Sequence, residues 1–243
     1  MPAEYPILAA IAFLGSIVFG ATGFGAALVA MPLATHVVPL QFALALFALA
    51  DIANSFSVGL EKPKNAERGE YLRLVPMILA GTVAGVTVLV SLPRAAGMVL
   101  LGGFVIAYAV YALFPRSSQR VISQGWSWLA GFVGGATSAL FGAGGPPYVI
   151  YLSQRGLSKE AFRATLGLVT MTSISLRVIA FLLTGLLLDA QVWFAAALVL
   201  PAALAGVAVG KRIFLRTSKE QLARAIAVLL LVSGGSLVWR ALS

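Results

Sequence analysis

The apolar positions of this chain neither alternate nor form a one-sided helical stripe; they run on in long blocks. These fall at 6–35, 40–59, 71–92, 95–114, 125–152, 161–185, 190–210 and 222–239. Most match the roughly 20 apolar residues that a helix needs to cross a bilayer. They are too continuous for barrel strands, which alternate over about ten residues. The pattern predicts an all-α integral membrane protein, because lipid-facing backbone must satisfy its own hydrogen bonds. Two blocks, 6–35 and 125–152, are longer than one crossing. Both are interrupted, by "GATGFGAALVAMP" in the first and "FGAGGPPYVIYL" in the second.

The chain also repeats itself. A shift of 119 positions pairs Gly15 with Gly134, Gly23 with Gly142, Gly25 with Gly144 and Leu33 with Leu152. A shift of 125 pairs Pro76, Leu79, Ala80, Gly81 and Gly85 with Pro201, Leu204, Ala205, Gly206 and Gly210. Two ordered sets with consistent offsets predict two related halves, 1–115 and 120–243.

Basic residues accumulate in cytoplasmic loops and so distinguish between topologies. If all eight blocks cross, Lys62, Lys64, Arg68, Arg73, Arg116, Arg120 and Arg240 lie on one side, and the remaining nine, Arg177 aside, on the other. That is almost no asymmetry. If 6–35 and 125–152 instead enter and leave on one side as helical hairpins, the first six of those join Arg155, Lys159, Arg163, Lys211, Arg212, Arg216, Lys219 and Arg224, leaving Arg94 and Arg240 opposite. The hairpin topology is therefore predicted, with the basic side cytoplasmic and both termini periplasmic. Each half becomes a re-entrant helical hairpin plus three transmembrane helices. With an odd number of crossings the halves are oppositely oriented, an inverted repeat as in many secondary transporters. Trp126 and Trp128 then fall near the cytoplasmic interface and Trp193 and Trp239 near the outer one, as interfacial anchors.

Non-helical backbone at membrane depth is tolerated where protein or a water-filled cavity surrounds it. Gly20, Gly23 and Gly25, and Gly142, Gly144 and Gly145, mark the predicted hairpin tips. A half-helix begins at each tip with N–H groups that lack intrahelical partners. Pro146 and Pro147 suit such a first turn, since proline has no N–H to lose there. The remaining N–H groups and the positive end of the helix dipole form an anion site. Thr22 and Ser138 are candidate hydroxyl donors. Close helix packing is the structural alternative for any single glycine.

Two charges lie well inside the blocks, Asp51 and Arg177. Such residues are costly in lipid and by default point to function. By helical rise they lie within about one turn of each other in depth, so an ion pair is possible. The 119 shift sets Asp51 opposite Thr170, and Asn54 opposite Ser173. Positions 3 and 7 apart share a helix face, so each half turns one polar stripe toward the interface. Asn54, Thr170, Ser173 and Arg177 join the candidate binding residues. Asp51 is the candidate coupling group, although a paired aspartate would stay ionised.

The net charge of +9 changes little, because basic loops on one side of a membrane account for it without nucleic acid. The chain has no cysteine and one histidine, His36, which removes thiol chemistry and multi-histidine metal sites. No cofactor or metal is expected. The start, "MPAEYPILAAIAFLG", lacks a basic region before its apolar run, so no cleaved signal peptide is expected. No G-x-x-x-x-G-K-[ST] loop is present, so ATP does not drive this chain directly.

The motifs "GATGFGAALVAMP" and "GATSALFGAGGPPYVIYL", in two four-block halves, resemble the TauE/SafE sulfite exporter family of bacterial membrane proteins. The resemblance covers nearly the whole chain. It implies movement of sulfite, a sulfonate, thiosulfate or another small organic anion across the bacterial cytoplasmic (inner) membrane. Gly142, Gly144, Gly145, Pro146 and Pro147 carry the second motif; the first half departs from it, with Ala26, Ala27 and Leu28 in the matching places. The expected partners are a small anion and the bilayer, with proton or ion coupling left open. Two other readings stand beside this one. One is a non-transporting membrane scaffold subunit; the other is an intramembrane enzyme with Ser138 as nucleophile and His36 as its only histidine base.

Overall fold

Without water to bond to, long apolar segments must pair their backbone groups internally. Every regular element among the described residues is accordingly helical. The computed structural model describes residues 4–60, 63–113, 121–214 and 219–242. Lys62, Arg116, Arg120 and Arg216, which enter the count of loop charges, lie outside them. The helices are α1 (Tyr5–Thr22), α2 (Ala26–Ala34), α3 (Leu40–Gly59), α4 (Arg68–Ser91), α5 (Arg94–Leu113), α6 (Trp126–Phe141), α7 (Gly145–Ser153), α8 (Lys159–Leu183), α9 (Ala190–Phe214) and α10 (Lys219–Leu242). Six of them, α1, α3, α4, α5, α8 and α9, are long and apolar enough to cross a membrane. α2 and α7 have 9 residues each, far too few to cross alone.

The two long blocks break where the glycines stand. α1 ends on Gly23 (φ 83°) and α6 on Gly142 (φ 70°), both left-handed, with Gly23 N–H bonded to Phe19 C=O and Gly142 N–H to Ser138 C=O. A left-handed residue closes a helix C-terminus and costs glycine little. The chain then doubles back. A Cβ on Gly144 would lie 2.6 Å from the Gly134 carbonyl oxygen, and the Tyr148 ring occupies the space beside Gly134. The two ends of this second broken segment meet, since Ile122 N–H donates to the Gln154 carbonyl at 3.1 Å. In the first, α2 returns along α1, with Ala26 and Ala30 against Gly15.

Around these hairpins the long helices pack in pairs. α1 lies along α9 and α4 along α6, while α5 pairs with α10 and α3 with α8. The first two crossings are so close that glycine is required. A Cβ on Gly81 would sit 2.0 Å from Phe132 O, and one on Gly210 would sit 2.1 Å from Ile17 O. Gly210 thus serves as a packing surface, and α9 runs past it to Phe214. α4 likewise starts at Arg68, before its apolar block, and so places Glu70 in its first turn, where a negative charge is favoured by the helix dipole. Trp126, Trp128, Trp193 and Trp239 are all exposed on the outside of the bundle.

The two short helices differ in their surroundings. α2 is covered by α10, whereas α7 stands apart from α5 across a cleft of about 410 Å³. The cleft is apolar and lined by Phe104, Tyr108, Tyr111, Trp126, Pro146, Pro147 and Tyr151, among others.

Candidate functional site

The hairpin tips touch. A Cβ on Gly142 would meet both Ala27 Cβ and Arg177 Nη1 at 2.8 Å, and one on Gly145 would meet Phe24 Cβ at 2.7 Å. The N-termini of α2 and α7 therefore converge on one place, each with its dipole's positive end inward. Between them lies a cavity of about 20 Å³, room for about one water molecule. Its wall includes Gly25, Ala26 and Ala27 from the first tip, and Ser138, Gly142, Gly144 and Gly145 from the second. Among the described residues no acceptor is found for the N–H groups of Gly25 and Gly144.

α3 and α8 supply the rest. Arg177 is 1 % exposed and Asp51 3 %. Arg177 Nη2 donates to Asp51 Oδ2 at 2.7 Å, and Nη1 to the Ser138 carbonyl at 3.2 Å. That carbonyl belongs to the last turn of α6, a helix end that attracts cations. The guanidinium carries more donors than these two bonds use, and its Nε has no partner among the described residues. Asp51, Thr170 and Ser173 line the cavity, and the Thr170 hydroxyl is buried and unpartnered. Ser173 accepts a hydrogen bond from the Tyr148 hydroxyl at 2.9 Å. Arg177 itself sits just behind the wall, against Asp51 and Gly142.

The sequence-predicted residues thus divide. Gly25, Asp51, Ser138, Gly142, Gly144, Gly145, Thr170 and Ser173 share one cavity. Thr22 turns its hydroxyl to the carbonyls of Val18 and Phe24, stabilising the break, and Gly23 faces open space. Pro146 lines the apolar cleft. Asn54 donates to Ser16 on α1 at 2.9 Å, and its Oδ1 is left without a partner. Ser138 contributes its carbonyl to Arg177, whereas His36 is hydrogen-bonded to Ser236 on α10, so no nucleophile–base pair forms between them.

Sequence reasoning missed Tyr148, the aromatic floor of the cavity. It also missed a second polar cluster near the end of α7. There buried Glu70 accepts from Arg155 (Nε 2.9 Å), Tyr151 and Arg73, while Arg155 also bonds the Ile122 carbonyl. The hydrogen bond to Glu70 pushes the Arg155 pKa up further. The cluster ties the return arm of the second hairpin to α4.

The family model described as Sulfite exporter TauE/SafE matches residues 8–237. A protein of Cupriavidus necator named as a probable sulfite/organosulfonate exporter TauE is 28 % identical over 215 residues, covering 85 % of this chain and 84 % of the relative. No solved structure matches.

Proposed function

Because the chain belongs to the sulfite exporter TauE/SafE family, whose members are transporters and not enzymes, we propose that it is a secondary transporter or facilitator for a small anion. Sulfite and organosulfonates, named for the relative, are the first candidates. The observation that carries this reading is the buried Arg177 guanidinium beside two converging half-helix N-termini. All three elements favour negative charge. A cavity with room for about one water is smaller than an oxyanion, so we read this conformation as closed.

In this reading the halves 1–115 and 120–243 are inverted repeats in the bacterial cytoplasmic membrane, with both termini periplasmic. The interleaved pairs α1 with α9 and α4 with α6 exchange with one another when the halves are swapped, which supports that symmetry. The different surroundings of α2 and α7 then represent two ends of one motion. Closing α5 onto α7 while α10 leaves α2 would give the anion access to the opposite side.

The test is uptake of ³⁵S-sulfite, and of methanesulfonate in parallel, into proteoliposomes holding the purified protein. Arg177→Gln is expected to lower the initial rate at least about tenfold, the loss of one charge-assisted contact of about 1.5–3 kcal/mol. Equal rates would remove Arg177 from the site, and no flux from the unmodified protein would remove the transport reading.

A further inference from the structure

The ion pair that anchors the site also constrains it. A guanidinium stays protonated in proteins, and in this conformation Asp51 is its counter-charge. An anion arriving beside an ionised Asp51 would set two negative charges against one cation in a buried, weakly screening site. Loss of one negative charge resolves the conflict. Asp51 can supply it by taking a proton, because its carboxyl lines the cavity while Arg177 holds its Oδ2. Two polar atoms can accommodate the change: among the described residues Arg177 Nε and Thr170 Oγ1 are buried without partners, and Thr170, 6 % exposed, lines the same cavity.

Among the described residues the other charged or titratable groups near Asp51 are few. α8 presents Arg177, and α7 presents Tyr148, whose hydroxyl is committed to Ser173. Lys211 of α9 bonds the Ser57 carbonyl, about 9 Å further along α3. α1, α2 and α6 border the cavity with phenylalanine, alanine, glycine and serine, and Tyr108 and Tyr111 of α5 line the apolar cleft instead.

We propose that Asp51 is a proton-binding site, and that its protonation transfers the Arg177 guanidinium from Asp51 to the anion. The step rests on the transport reading above. It balances simply: one proton and one anion enter, the carboxylate becomes a carboxylic acid, the Arg177–Asp51 pair breaks and an Arg177–anion pair forms. The Thr170 hydroxyl is the acceptor at hand for the new Asp51 O–H. Release reverses each change. One proton thus accompanies each negative charge that Arg177 holds, and the combined proton and anion gradients set the direction of flux.

The test uses proteoliposomes with an entrapped pH-sensitive dye and the membrane potential clamped at zero. Methanesulfonate is the main probe, because it stays ionised over the whole pH range, and sulfite is run in parallel. Anion entry is expected to acidify the lumen one-to-one, with a rate that falls toward about tenfold per pH unit once Asp51 is deprotonated. Any flux left in Asp51→Asn is expected to lose that pH dependence; if this variant does not fold, the proton-to-anion ratio of the unmodified protein decides. Anion flux without acidification, or an unchanged pH profile in Asp51→Asn, would overturn the proton site while leaving anion transport standing. Absence of flux for both probes would overturn the transport reading and the proton site with it.

Discussion

Arg177 has no neutral form to adopt, so its burial makes a negative partner obligatory. Breaking a buried pair from one side is expected to cost about 3–5 kcal/mol, because the remaining charge is left uncompensated. Asp51→Ala should therefore lower the thermal midpoint in detergent sharply. Combining Asp51→Asn with Arg177→Gln should recover much of that loss, since neither charge then remains. A double variant no more stable than Asp51→Ala would show that the pair does not act as a unit. Both residues were legible in the sequence because a charge stands out within an apolar block, as do Asn54, Thr170 and Ser173 at helical spacing from them. Tyr148 was not legible: one more aromatic in an apolar block carries no signal, and only the fold brings its hydroxyl to Ser173.

At the scale of elements, the hairpin tips and the glycine crossings make separate predictions. Gly142→Ala forces a side chain into the left-handed region, at about 1–2 kcal/mol, and into Ala27 and Arg177 as well. Its expected signature is a stability loss together with a fall in flux, because the guanidinium must shift. Gly81→Leu instead wedges α4 away from α6 against the Phe132 carbonyl. It should destabilise or prevent folding, and a variant of normal thermal midpoint would contradict the crossing. The breaks at Gly23 and Gly142 were readable from the glycine framework shared at a shift of 119. The packing glycines were also matched in sequence, but their partners were not: Gly81 meets a helix some fifty positions away and Gly206 one nearly two hundred away, which no local pattern encodes. The Glu70–Arg155–Tyr151 cluster escaped for a related reason, since its charges read as ordinary loop residues until α4 was seen to begin at Arg68.

For the whole molecule, the cleft between α5 and α7 is the place where motion has room. Ala107→Trp would fill part of its about 410 Å³ with an indole and is expected to slow flux severalfold while leaving the thermal midpoint close to that of the unmodified protein. Unchanged flux would show that α5 does not need to close. The site, however, is built on the broken segments turning back, since α2 returns along α1 and the two ends of the second segment meet. The hydrogen bond between Ile122 and Gln154 joins the two ends of the second segment, and exposed Ser123 and Ser153 lie beside it. With no native cysteine to interfere, Ser123→Cys and Ser153→Cys can each be labelled by a membrane-impermeant maleimide in intact cells and in inverted vesicles. Both are expected to react from the cytoplasmic side alone; labelling from opposite sides would contradict the hairpin and the anion site built on it.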